Sequence, residues 1–259
     1  MRLAYFKMPV FDKNLLADNF KESGVYLEIF EEVASTNDKA FELLNESNLC
    51  AAIAEKQTCG RGRLGRKWEG TLGESLFFSG GFVAGKNSRL LTVPCCVAVL
   101  LCRQLKNTFG ANLQIKWPND IYFNDKKLCG ILCEAKAENG KISKAVVGIG
   151  INIMPPKHPE SFRRPPISLG EICKNANINE CAICCKNAFV QAVNCPSIKN
   201  VLSHFAEYDW LYGKKVKILF SSEEVEGVAC GINENAELLI KQANGEIKNV
   251  SSGEASIAV

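Results

Sequence analysis

Apolar and polar residues alternate along this chain with two different periods, and the change of period divides it into segments. Val25-Tyr26-Leu27-Glu28-Ile29-Phe30 is a short apolar run with the texture of a strand. Cys50 to Glu55, Ser75 to Ser79, Leu113 to Lys116 and Ala145 to Ile153 read the same way. Asp38 to Leu44 predicts a helix that Ser35 or Thr36 can cap. Val93 to Phe109 predicts a buried helix, because it is largely apolar and Pro94 falls in its first turn. Pro118 holds Trp117 extended. Ile121 to Phe123 and Lys127 to Ala135 flank Asn124-Asp125, which predicts a hairpin. Ile178 to Val193 and Ser197 to Trp210 predict two more helices. After Gly213 the texture changes. Val216 to Phe220, Val225 to Ala229, Glu237 to Ile240 and Glu246 to Val250 are short, evenly spaced strands of a small β-barrel. A boundary near Leu211 to Gly213 follows. Residues 1–24 are weakly patterned and form an N-terminal extension, too short for a DNA-binding domain. The expected organisation is this extension, a domain over 25–211 in which strands and helices mix (α/β, or α+β), and a barrel over 212–259.

Composition narrows the picture. The chain has 259 residues, 47% of them hydrophobic and 23% charged, with a net charge of +3, which fits a soluble domain with a sizeable core. The small net charge gives no broad basic face, so no nucleic-acid partner is expected. No membrane partner is expected either: the apolar run from Leu90 to Leu101 is too short to span and contains Pro94. Residues 1–16 lack the layout of a signal peptide, which points to the cytoplasm. The 13 cysteines then read as reduced, small apolar side chains. Cys181-x-x-Cys184-Cys185 lies in a predicted helix without a second pair of zinc spacing. Cys59 differs, because it adjoins the candidate site.

That site is Gln57-Thr58-Cys59-Gly60-Arg61-Gly62-Arg63-Leu64-Gly65-Arg66-Lys67-Trp68. Glycines let backbone N–H groups approach an anion, and arginines meet phosphate or carboxylate with a planar fork. Gly60-x-Gly62-x-x-Gly65 fits a dinucleotide fingerprint, but that motif needs a helix directly after it. Residues 66–73 carry two glycines and no helical period, so a dinucleotide fold is not expected. Arg66 and Lys67 stand where a P-loop needs Lys and Ser or Thr. The segment therefore reads as an anion site of another kind.

Five motifs in one order carry a resemblance. Ser35-Thr36-Asn37 precedes Gly60 to Trp68; then come Lys116-Trp117-Pro118-Asn119-Asp120, Lys127-Leu128-Cys129-Gly130-Ile131-Leu132 and Gly148-Ile149-Gly150-Ile151-Asn152. The ordered set closely resembles the biotin protein ligases over residues 25–259. The resemblance implies a mixed sheet flanked by helices, related to class II aminoacyl-tRNA synthetases, followed by an SH3-like barrel. It implies biotin, ATP and Mg²⁺, an adenylate intermediate, and transfer to a lysine of a biotin carboxyl carrier domain of a carboxylase, by a monomer or a homodimer. Arg61, Arg63 and Lys127 resemble the catalytic residues. Ser35, Thr36, Asn37, Thr58, Gly60, Arg61, Gly62, Arg63, Lys127, Gly130, Gly148 and Gly150 resemble the biotin site, the last three giving the ring room. Arg61, Arg63, Arg66, Trp68, Asn119, Asp120, Lys127 and Asn152 resemble the ATP side, with Asp120 beside the metal. The alternatives are a lipoate or octanoate ligase, whose Arg-Arg-x-Ser-Gly-Gly-Gly signature this chain lacks, and a non-catalytic biotin- or nucleotide-binding module.

Overall fold

The computed structural model describes residues 10–68, 73–84, 90–156, 166–220 and 223–257. Residues 1–9 of the N-terminal extension and 157–165 of the proline-rich stretch lie outside the described residues.

A seven-stranded mixed sheet forms the larger unit. Its strands are β1 (Tyr26–Val33), β2 (Leu49–Gln57), β3 (Ser75–Val83), β4 (Gln114–Lys116), β5 (Asp120–Phe123), β6 (Lys126–Glu138) and β7 (Lys141–Asn152), in the order β1-β2-β3-β7-β6-β5-β4. Only β1 and β2 run parallel; α2 (Thr36–Leu43) supplies the crossover that a parallel pair needs. Both tight hairpins use two consecutive residues at positive φ, Asn124-Asp125 and Asn139-Gly140. That matches the turn whose twist suits two-residue hairpins.

Alternation along the strands gives the sheet two different faces. On one face Ile53, Phe78, Ile149 and Ile131 lie in register across β2, β3, β7 and β6. Three helices cover that face: α1 (Lys13–Glu22), α3 (Val93–Phe109) and α5 (Ile178–Val193). The Phe78 ring lies 6.4 Å from that of Phe20 on α1 and 6.2 Å from that of Phe189 on α5. The other face carries Ala52, Ser79, Gly148 and Leu132 in one row and Ala54, Phe77, Gly150 and Gly130 in the next. It is covered at one end by α2 and otherwise by the loop after β2.

The helix over 93–109 has the expected bounds, and so does that over 178–193. Two expectations need correction. Residues 1–24 are weakly patterned in sequence, yet α1 forms within them, has an Asp12 cap and buries Leu16 and Phe20 completely. Ser197 to Trp210 is not one helix: α6 (Ile198–Leu202) stops and a 3₁₀ turn follows at Phe205–Glu207. Beyond it Asp209 bridges to Ile115, and the Trp210 amide donates to the Ile115 carbonyl at 2.9 Å, so strand-like pairing replaces the helix. Pro118 follows a cis Trp117-Pro118 peptide.

The smaller unit is a five-stranded antiparallel sheet of β8 (Lys215–Phe220), β9 (Glu223–Ile232), β10 (Leu238–Lys241), β11 (Ile247–Val250) and β12 (Glu254–Ile257), in the order β11-β10-β9-β8-β12. It docks on the larger unit through Trp117, whose buried indole N–H donates to the Ala236 carbonyl at 2.9 Å. Between α3 and α5 in sequence sits α4 (Leu169–Ile172), closed by a capping box of Ser168 and Glu171.

Candidate functional site

The cleft lies on the face of the large sheet that the three core helices leave open. Its floor is bare because glycines line it. A Cβ on Gly148 would stand 2.4 Å from Asn37 Oδ1; one on Gly130 or Gly150 would stand 2.7 or 2.5 Å from the Trp68 ring. These glycines line the cleft, as the sequence suggested. What they directly admit is protein: Asn37 from α2 at one end and the Trp68 indole at the other. The ligand space is therefore bounded by those two side chains rather than opened by the glycines alone.

The inner end is polar and buried. Ser35, Thr36, Asn37 and Ser79 are 3%, 3%, 5% and 0% exposed, so their polar atoms must find partners within the protein or a ligand. The helix starts at Thr36, two residues earlier than the sequence suggested, which puts Thr36 and Asn37 on its first turn. Gln57 Oε1 accepts from the Thr36 backbone N–H at 2.7 Å and lies 2.9 Å from Thr36 Oγ1. Ser79 Oγ lies 2.7 Å from Thr36 Oγ1 and 2.6 Å from Asn37 Oδ1. Asn37 Nδ2 donates to Glu134 Oε2 at 2.5 Å.

The rim is basic. Arg61, Arg63, Arg66 and Lys67 come from the glycine-rich loop, Lys116 from β4 and Lys127 from β6, and Asp120 is the one carboxylate among the described lining residues. The loop turns on itself at Arg63–Gly65, where Leu64 and Gly65 have φ of 56° and 73°. Residues 66–68, directly after that turn, are not helical. Arg61 is expected to meet the ligand's anionic groups. In this structure its fork is occupied: it donates to both Asp38 oxygens, at 2.8 and 2.7 Å, and to Glu134 at 3.1 Å. The hydrogen bonds to Asp38 and then Glu134 raise the guanidinium further above its ordinary range, and the bond from Arg61 holds the Asp38 carboxyl below its own. Arg63 reaches Asn119 Oδ1 at 3.3 Å, and Asn119 Nδ2 is anchored on the Ile131 carbonyl at 2.8 Å. Lys127 Nζ sits 2.7 Å from Asp120 Oδ1 and 5.2 Å above the Trp68 ring.

Three expected residues fall outside the lining. Thr58 is exposed beyond the end of β2; Gln57, the strand's last residue, reaches the cleft instead. Gly60 closes the loop's neck, accepting from the Trp68 amide at 3.0 Å, where a Cβ would meet the Trp68 carbonyl at 2.6 Å. Asn152 spends its side chain on the Lys127 and Ile167 carbonyls, at 3.4 and 3.2 Å. Gln57, named in the candidate segment but given no role, Gly253 and Ala255 also line the cleft, and the buried Ser79 lies behind it, bonded to Thr36 and Asn37. Ser79 shares the parity of Phe77 on an apolar strand, a signal that β3 could have given. Gly253 and Ala255 come from the small sheet, and only the docking of the two units brings them here.

Known proteins resemble this chain in sequence and in fold. The family described as Biotin/lipoate A/B protein ligase matches residues 29–152, and the biotin protein ligase C-terminal domain matches residues 212–257. The bifunctional ligase/repressor BirA of Escherichia coli is 28% identical over 240 residues, which cover 90% of this chain and 74% of that one. A biotin–[acetyl-CoA-carboxylase] ligase of Paracoccus denitrificans is 34% identical over 125 residues, 46% of this chain and 51% of that one. The structure of the Aquifex aeolicus biotin protein ligase in complex with biotin and ATP superposes with a TM-score of 0.76 at 30% identity, covering 90% of this chain and 98% of the other. With both family segments present in order, and nearly the whole of that ligase matched in sequence and fold, this chain belongs to the biotin protein ligase family.

Proposed function

We propose that the protein activates biotin with ATP to biotinyl-5′-adenylate and transfers the biotinyl group to a lysine of a biotin carboxyl carrier domain. One observation carries the reading: a cleft with a neutral, hydrogen-bonding inner end opens onto a rim of six cationic side chains and one carboxylate. A ligand with a polar uncharged head and a carboxylate tail fits that polarity, with nucleotide phosphates at the rim. In the first step a biotin carboxylate oxygen attacks the α-phosphorus and pyrophosphate leaves. In the second the carrier lysine attacks the acyl carbon and AMP leaves. Two anions must meet in the first step, so the rim's work is charge neutralisation and positioning. Arg63 and Lys127 are the residues we assign to it. Lys127 is held against Asp120 and needs only to exchange one oxygen anion for another. Arg61, clasped by Asp38 and Glu134, is assigned to holding the loop over the cleft as well as to the anion. Asp120 is the residue that would hold a Mg²⁺ carried in on the ATP phosphates, where the ion would offset phosphate charge, in line with its preference for phosphate and water over an all-protein cage. The thirteen unpaired thiols support a reducing, cytoplasmic setting.

ATP–pyrophosphate exchange with biotin, lipoate or no acid tests the reading. Exchange with biotin alone is expected. Exchange with lipoate instead moves the chain to the other branch of its family, and no exchange by folded protein leaves only a binding module.

A further inference from the structure

The polar string at the inner end of the cleft is short of one hydrogen. Glu134 pairs with Arg61 and is a carboxylate, so it has no hydrogen to give. The amide nitrogen of Asn37 therefore faces it at 2.5 Å, and Asn37 Oδ1 faces Ser79 Oγ at 2.6 Å. At the far end Gln57 Oε1 accepts from the Thr36 backbone N–H, which fixes that side-chain amide as well. Two hydroxyls, Ser79 and Thr36, stand between these two fixed carbonyl oxygens, 2.7 Å from each other. Thr36 Oγ1 is also 2.9 Å from Gln57 Oε1. Three oxygen–oxygen contacts thus share two hydroxyl hydrogens. Whichever way the hydroxyls point, one pair of oxygens has none between them. Ser79 is 0% and Thr36 3% exposed, and the string meets the cleft at Thr36, Asn37 and Gln57, where a ligand can supply the missing donor.

We propose that Glu134 is a positioning residue: through Asn37 it keeps the string one hydrogen short, so that the cleft selects a ligand ring bearing N–H. Gln57 Nε2 has no hydrogen-bond partner among the described residues and lines the same end, where it can serve a carbonyl beside that N–H. A cyclic urea offers N–H and C=O together, whereas a dithiolane ring offers no donor. This inference rests on the biotin reading and explains a selectivity within it. The converse arrangement is available to a glutamine at 134. Its amide nitrogen, at the oxygen that Arg61 now shares, would donate to Asn37 Oδ1 while Arg61 gives up that contact and keeps both Asp38 oxygens; Asn37 would turn over and donate to Ser79, Ser79 to Thr36, and Thr36 to Gln57. Every contact would then have its hydrogen without a ligand.

The test is calorimetric titration of the full-length protein with biotin. Glu134→Gln should weaken biotin by at least about tenfold while the KM for ATP stays within about threefold, since sites built to pair a polar group discriminate strongly. Asp38→Asn removes a carboxylate from Arg61 but leaves the Asn37–Glu134 bond, and should hold biotin within about threefold of wild type. Glu134→Gln binding as wild type does, or equal losses in both variants, overturns the inference; the second result assigns the effect to Arg61. If Glu134→Gln does not fold, N1′-methyl- and N3′-methylbiotin are titrated into the wild type. A loss of at least about tenfold for one of them supports the missing donor, and affinities equal to biotin overturn it. Wild-type protein that binds no biotin overturns the ligase reading itself, a result distinct from any of these.

Discussion

At the scale of single residues, the cleft separates two kinds of charge. Arg61 is tied into carboxylates on α2 and β6, while Lys127 has one carboxylate partner and an aromatic ring beneath it. A lysine held by a single exposed-side ion pair can leave it cheaply, because such pairs contribute only about 0–1 kcal/mol. Lys127→Ala should therefore slow adenylate formation by about 10²–10³, the usual cost of removing one donor aimed at developing charge, and change the KM for ATP far less. Single-turnover formation of the adenylate checks this, and an unchanged rate removes Lys127 from the role. Sequence made the rim legible because arginines among glycines have few other uses. It did not distinguish Gln57 from Thr58, since adjacent residues at a strand's end differ only in which way they point. Nor did it mark Ser79 or Glu134, which act through Asn37 and Thr36 and whose partners lie 42 and 97 positions away.

At the scale of elements, glycines on β3 and in the β6–β7 turn behave oppositely, and this can be measured. A Cβ on Gly80 would stand 2.6 Å from the Phe189 ring, whereas one on Gly140 would meet nothing but would sit at φ 72°. Gly80→Ala should cost about 1–3 kcal/mol as overpacking, and Phe189→Leu in the same chain should recover part of it. Gly140→Ala should cost about 1 kcal/mol as left-handed strain, whatever residue stands at 189. Urea unfolding of Gly80→Ala, Phe189→Leu, their double variant, and Gly140→Ala with and without Phe189→Leu decides it, and additive losses for the 80/189 pair would refute the packing account. The same contrast explains which elements could be read in advance. The helix over 93–109 announces itself by apolar length and by Gly110, which ends it in the left-handed region. The helix over 13–22 does not, because only Leu16 and Phe20 of its residues are buried and their partner Phe78 is 58 positions from Phe20. The 198–202 helix reads longer than it is, since the pairing of Asp209 with Ile115 that ends the helical run is a tertiary contact. The fifth strand of the small sheet, 254–257, has only four residues and gains its place by pairing with β8.

At the scale of the whole molecule, the core is unusually rich in thiols, and that makes its stability depend on alkaline pH. Cys95, Cys102, Cys129 and Cys185 are 0–1% exposed, and burial raises each thiol above its ordinary range. Burial also pushes Cys50, Cys96 and Cys133 up to about 12 and Cys184 to about 11. A group raised in the folded state favours folding below its unfolded value, and that contribution is lost as pH rises. Here the unfolded thiols lose protons above about 8.5 while the folded ones keep theirs. Each such thiol then removes about 1.4 kcal/mol of stability per pH unit, so the four most buried together remove about 5.6. Lys186 works the other way: burial lowers its ammonium, so it favours folding at high pH, but it is a single group against eight. With about 5–15 kcal/mol available to a folded domain, the protein should unfold within roughly one to three pH units above 8.5. Thermal melts under reducing conditions should be flat from about pH 6 to 8 and fall steeply from about 8.5. Melts that stay level to about pH 10.5 would mean that these thiols are not held neutral in the folded core. The prediction is independent of the cleft, because no cysteine stands among its described lining residues. Loss of biotin activation above pH 9 should therefore track unfolding, with wild-type turnover per folded molecule up to the edge of the transition.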